Sequence, residues 1–183
     1  MRVVSKVETA PMRTLVEQLS QYAAYHRDAR NIATHFIGIP MIVIAVTVLL
    51  ARPLVLIAGF GVSPASLAML IAAGYYLALD LRYGIAMTLL LTLSLWIAMQ
   101  LAVQPMAIWL GSGIGLFVVG WALQFLGHYY EGRKPAFVDD LMGLAIGPLF
   151  VLAEAGFNLG LRDEVRGAIE ARVGPVRRAS VAA

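Results

Sequence analysis

The sequence predicts an all-α integral membrane helical bundle. It has four transmembrane helices, an N-terminal amphipathic helix, and a re-entrant or interfacial helix near the C-terminus. Three observations carry this. Of 183 residues, 60% are apolar and 14% charged, against roughly 45–50% and about 25% in soluble domains. Mean hydropathy is +0.79. The charges gather at the two ends and in short gaps between apolar runs, several of which match the roughly 20 residues that cross a bilayer core.

Met1–Ala10 is polar and lacks the apolar core of a secretory signal peptide. Pro11–His26 sets Met12, Leu15, Val16, Leu19, Tyr22, Ala23 and Tyr25 at mixed helical spacing, and Pro11 suits a first turn. We expect an amphipathic helix here, lying on the membrane surface or docked on protein. Asn31 is a candidate N-cap for the next helix. His26 and His35 lie nine residues apart. On one helix, at about 100° per residue, they would take opposite faces. A break at residues 27–31 lets both point at one place.

Ile32–Leu50 is the first expected span, interrupted by Pro40 and ended by Arg52-Pro53. A short apolar turn follows, then a second span over Pro64–Leu79. Asp80 and Arg82 mark its interface end, with Asp80 read as a functional carboxylate or a partner of Arg82. Tyr83–Leu101 is the third span. Gln104-Pro105 is an uncharged turn. Met106–Leu126 is the fourth, with Trp109 and Trp121 near its ends and glycines at 111, 113, 115 and 120 for close helix packing. Leu141–Phe157 is apolar but short, and contains Pro148 and Glu154. Residues 1–160 are expected to form the membrane domain, and residues 161–183 a polar, arginine-rich tail, partly disordered beyond Gly174.

Charge bias tests the count. With four spans, Arg13, Arg27, Arg30, Arg82, Arg133 and Lys134 share one side and only Arg52 takes the other. A fifth crossing would carry the arginines of the tail to the far side. Both termini are therefore expected in the cytoplasm, with residues 141–157 re-entrant or interfacial. The net charge of +3 is membrane-surface charge, not a nucleic-acid footprint. No cysteine is present, which excludes disulfides, thiolate metal sites and cysteine nucleophiles.

Four crossings bring two polar clusters to one membrane surface. One holds His26 and His35, the other His128, and these are the only histidines. Each alone reads as an ordinary interfacial residue. Together they suit Fe(II), Zn(II) or a similar ion. Glu131, three residues after His128, is a candidate fourth ligand, a hydrogen-bond acceptor behind the ligands, or an ion-pair partner of Arg133 or Lys134. Asp139 and Asp140 are open to the same readings, or to a helix-start role. Arg133 and Lys134 can hold a carboxylate head group or anionic lipid. Tyr22, Tyr25, Tyr129 and Tyr130 are interfacial aromatics and candidate pocket walls.

At these residues the sequence resembles a known family. Tyr25-His26-Arg27, Asn31, His35, Gly38 and Pro40 precede Gln124-Phe-Leu-Gly-His128, Glu131-Gly-Arg-Lys-Pro-Ala136, Asp140 and Gly147-Pro-Leu-Phe150. This order, over residues 12–157, is similar to the Mpo1-like family. The resemblance implies an Fe(2+)-dependent dioxygenase that shortens 2-hydroxy fatty acids by one carbon, with O2 as co-substrate, at the membrane interface. It implies iron held by His26, His35 and His128, with Glu131 a candidate ligand. The substrate's 2-hydroxyl and carboxylate would chelate the metal. Arg133 or Lys134 would neutralise the carboxylate, with Tyr25 and Tyr129 as candidate substrate contacts. The expected membrane is the inner membrane of a bacterium or the endoplasmic reticulum of a eukaryote. A zinc-dependent lipid hydrolase and a non-catalytic scaffold or transporter are the rival readings. Paired repeats and midplane charges, the marks of a transporter, are not evident.

Overall fold

The computed structural model describes residues 13–57, 60–135 and 140–177. The expected helix start at Pro11 and the candidate Asp139 lie outside them. Seven helices occupy most of the described residues: α1 (Leu15–Ala23), α2 (Ala29–Leu50), α3 (Pro64–Leu79), α4 (Leu81–Ala102), α5 (Met106–Glu131), α6 (Met142–Asn158) and α7 (Asp163–Val173). The apolar turn expected after the first span is a small antiparallel hairpin, β1 (Val55–Ile57) and β2 (Phe60–Val62), with Leu56 opposite Gly61.

Helix α1 begins at Thr14, in a reciprocal capping box with Glu17, a motif whose cap contributes about 1 kcal/mol. Its Leu15, Leu19, Tyr22 and Ala23 are buried against α6 and α7. The helix is therefore docked on protein, the second of the two expected placements.

Helix α2 starts earlier than expected. Asp28, not Asn31, is its cap, accepting a hydrogen bond from Arg30 N at 2.8 Å. Both residue types suit a cap, but Asn31 is needed inside, as described below. Pro40 lies within α2 without ending it.

Helices α2, α4 and α5, of 22, 22 and 26 residues, are long and apolar enough to cross a membrane. At about 1.5 Å per residue the shortest is about 33 Å, against a core of about 30 Å. Helix α3, apolar and of 16 residues, is about 24 Å long. The four run up and down. At one end, the Arg52 guanidinium donates to Ala102 O at 2.8 Å and Trp109 Nε1 donates to Val48 O at 2.7 Å. These bonds tie the close of α2 to the turn between α4 and α5. The opposite end gathers the start of α2 and the close of α5, which pack together more extensively than any other pair. Leu70, Ile71, Leu89, Trp96 and Val118 point outward and exposed, as a lipid-facing surface requires.

Helix α6 is anchored at both ends. Its start is tied to α1 through Asp140, which accepts from Arg13 and Gln21 at 3.2 and 3.1 Å. Past its close, Arg162 makes a two-bond ion pair with Asp80, at 3.1 and 3.0 Å. Both anchors lie at the α1 end of the bundle. The chain then turns through 114° into α7, which packs on α1. The pair also answers the question of Asp80: its partner is Arg162.

Candidate metal centre

The three histidines meet where α1, α2 and α5 converge. His26 sits in the break between α1 and α2, which removes the half-turn that a continuous helix would impose. His35 is on the second turn of α2. Helix α5 runs five residues past its expected end, to Glu131, so His128 is helical. Gly132 stops the helix in the left-handed region at φ 69°, its N–H bonded to His128 O.

One nitrogen from each ring lies within 4.8 Å of the other two, and all three side chains are buried. The ring centroids of His26 are 4.6 Å from those of His35 and 4.9 Å from those of His128. Tyr22 stacks on His26 with centroids 4.1 Å apart and planes 4° from parallel.

Two rings have their tautomer fixed. His26 Nδ1 lies 2.7 Å from Tyr22 O, and His35 Nδ1 lies 2.9 Å from Asn31 O. A carbonyl accepts only, so each Nδ1 carries the hydrogen and donates it. Each Nε2 is then left with a bare lone pair. The two Nε2 atoms face each other at 3.1 Å. Two acceptors so placed repel unless a cation lies against both. His128 Nδ1 is buried with no hydrogen-bond partner, which in a native fold calls for an ion or water. Burial, and then the neighbouring His35, hold His26 well below the usual imidazole range, so its ring is neutral, the form that binds metal. This donor set fits a divalent transition-metal ion.

Glu131 stands behind this cluster, with its side chain 1% exposed. Its Oε2 accepts from Arg27 N at 2.9 Å, Asp28 N at 2.7 Å and Asn31 Nδ2 at 3.1 Å. Its Oε1 accepts from Arg177 at 2.6 Å. It thus clamps the start of α2, where the helix dipole also favours a negative charge. Arg133 is exposed and donates to Ala24 O at 2.8 Å, two residues before His26. Lys134 is exposed on the same surface. Tyr25 is half-buried against the core, and Tyr129 is exposed beside Tyr130. Neither lines the cavity that opens on His128; Tyr22 does.

Sequence reasoning missed four contributors. Asn31 offered a signal, but its residue type suggested a cap. Arg177 lies in the tail, whose Arg27–Arg177 and Ala29–Arg177 main-chain bonds strap the α1–α2 break. Arg27, also buried, holds Glu154 of α6 at 3.3 Å and Gly174 O at 3.0 Å. Gln124 lies one helical turn before His128 and is taken up below.

Comparison with known proteins then locates this arrangement. Residues 12–159 match the family model described as "2-hydroxy-palmitic acid dioxygenase Mpo1-like". The 2-hydroxy-palmitic acid dioxygenase MPO1 of Saccharomyces cerevisiae is 28% identical over 158 residues, covering 85% of this chain and 87% of the yeast protein. No solved structure matches.

Proposed function

The chain belongs to the Mpo1-like family, and on that premise we propose that it is an Fe(II)-dependent dioxygenase. Its substrates are 2-hydroxy fatty acids, shortened by one carbon at the membrane interface. The observation that carries this is the pair of lone-pair-bearing Nε2 atoms of His26 and His35, 3.1 Å apart, with His128 beside them. Of the ions this donor set suits, iron is redox-active and zinc is not. Iron, when bound, supplies the reaction with O2 that side chains cannot.

The chain's own residues hold and orient. His26, His35 and His128 are the ligands we assign. The carbonyls of Tyr22 and Asn31 fix two of the rings, in the way that acceptors behind metal ligands do. Glu131 keeps the α1–α2 break closed, and so keeps His26 turned toward His35. Arg133, anchored beside His26, and Lys134 place positive charge at the membrane surface, where the carboxylate of a fatty acid lies. The buried setting excludes water from the site. We further propose that both termini face the cytoplasm, as the arginine bias favours.

The test is metal analysis of anaerobically purified protein, joined to O2 uptake. About one iron per three-histidine site and O2 consumption with 2-hydroxypalmitate are expected. Chelation should abolish uptake, and ferrous iron should restore it. Stoichiometric zinc, with lipid ester or amide hydrolysis and no O2 uptake, would replace this reading with a hydrolase.

A further inference from the structure

Helical spacing sets a second group one turn deeper than the ligands. On α5, Gln124 is four residues before His128; on α2, Ile39 is four residues after His35. Such pairs share a helix face. Gln124 and Ile39, with Tyr22, His128 and Pro148, line a cavity of about 70 Å³ directly on the bilayer side of the imidazoles. Gln124 is buried at 5% exposure, and its Nε2 has no hydrogen-bond partner. A buried amide nitrogen left unpaired is costly, so its presence needs an explanation.

The cavity adjoins an apolar groove. Ile39, Val43 and Pro148 line both. The groove has a volume of about 380 Å³ and lies between α2, α4 and α6. Its wall on α4 runs from Met87 to Ile97, ten residues or about 15 Å. Ser94 is the one residue with a side-chain hydroxyl in its lining, and that hydroxyl donates to Leu90 O. The groove therefore presents mostly hydrocarbon.

We propose that Gln124 binds the 2-hydroxyl of the substrate while the acyl chain lies in this α2–α4–α6 groove. This rests on the functional reading above and adds the pose. The carboxylate faces Arg133 at the surface, C2 lies at the imidazoles, and the chain descends into the bilayer. A hydroxyl both donates and accepts, so it satisfies the Gln124 amide in either orientation. The groove's occupant is an acyl chain because the groove is apolar and shares Ile39, Val43 and Pro148 with the histidine cavity. A site built to bond a hydroxyl rejects an analogue that lacks it, since its own polar group is then left unpaired. Gln124 is thus the residue that separates 2-hydroxy acids from plain fatty acids.

Equilibrium binding of 2-hydroxypalmitate and palmitate to metal-loaded, anaerobic protein in nanodiscs tests this without turnover. The wild type should prefer the hydroxy acid. Gln124→Leu should weaken 2-hydroxypalmitate about tenfold or more, leaving palmitate binding and metal content unchanged. Equal weakening of both acids, unchanged discrimination, or loss of the metal would each overturn the assignment of Gln124. A wild type that binds neither acid would overturn the functional reading itself. Ala155→Phe, at the groove's half-buried edge, should shift the preference toward shorter 2-hydroxy acids. An unmoved chain-length profile would mean that bilayer lipid, not substrate, fills the groove.

Discussion

His26 Nε2 and His35 Nε2 face each other across 3.1 Å, each on a ring whose Nδ1 hydrogen goes to a main-chain carbonyl. The helix geometry makes this possible. Tyr22 O is four residues before His26, and Asn31 O is four residues before His35, so each ring bonds the carbonyl one turn behind it. Local hydrogen bonding sets both tautomers, and the break between α1 and α2 sets their convergence.

From that relationship follows the behaviour of the three histidines as one unit. His26→Ala, His35→Ala or His128→Ala should each remove the metal and the O2 uptake together. The triple variant should resemble each single one, because members of one unit are not additive. Expression should hold, since the bundle packs through α2 and α5. Metal content by elemental analysis is the measurement. A single variant with full occupancy would remove that residue from the site.

A second prediction concerns Gly127, which has no side chain with which to touch the three histidines. A Cβ there would lie 2.5 Å from Asn31 Oδ1 and 3.0 Å from His35 Nδ1, with Thr34 Oγ1 closer still. Gly127→Ala must therefore displace the side chains of Thr34 and Asn31 beside His35, or push α2 and α5 apart. Overpacking of this kind costs about 1–3 kcal/mol, and metal affinity should fall with it. Gly111 and Gly115, on the same helix, have nothing within 4 Å of an added Cβ. Gly115→Ala should leave melting temperature and metal content unchanged. Equal effects at 115 and 127 would mean that the close approach at His35 is unimportant.

The spans and the histidine cluster were legible because both follow from period and length. Apolar runs marked the helices, and the up-and-down run of α2 to α5 returned His128 to the end that holds His26 and His35. What was hidden depended on contacts distant in sequence. Arg177 reaches Glu131 from 46 residues away, and nothing in a polar tail announces such a partner. Asn31 and Asp28 are equally good caps by type, and only the Glu131 carboxylate, 100 residues on, decides that Asn31 turns inward. Gln124 read as one polar residue in an apolar helix. Its orphaned amide is visible only once α2 is packed against it.

Topology supplies the third prediction. The native chain has no cysteine, so single cysteines report cleanly. Ser5→Cys and Ser180→Cys should label from the same side of sealed vesicles, and Gln104→Cys from the opposite side. The structural basis is the up-and-down run of α2 to α5, with Arg52 tied to the α4–α5 turn at one end and the histidines at the other. Labelling of positions 5 and 180 from opposite sides would require an odd number of crossings and would make α6 a span.

The last prediction separates Glu131 the clamp from Glu131 the ligand. Its two oxygens accept from four donors, and three of those belong to Arg27, Asp28 and Asn31 at the α1–α2 break. Glu131→Gln keeps the shape but loses the charge, and turns an amide NH2 toward groups that only donate. The break should loosen, and His26 should lose its fixed approach to His35. Metal affinity should then drop about 10–100-fold, the cost typical of a residue that supports ligands, with the metal still bound at high concentration. Arg177→Ala should do much less. Its side chain is 63% exposed, where an ion pair contributes about 1 kcal/mol or less, and the main-chain strap at Arg27 and Ala29 does not depend on its guanidinium. The ordering expected in a metal titration is therefore His→Ala worst, Glu131→Gln intermediate, Arg177→Ala near wild type. A Glu131→Gln variant as empty as the histidine variants would make the carboxylate a ligand, and its four hydrogen bonds would then have to be rearranged in the metal-bound protein.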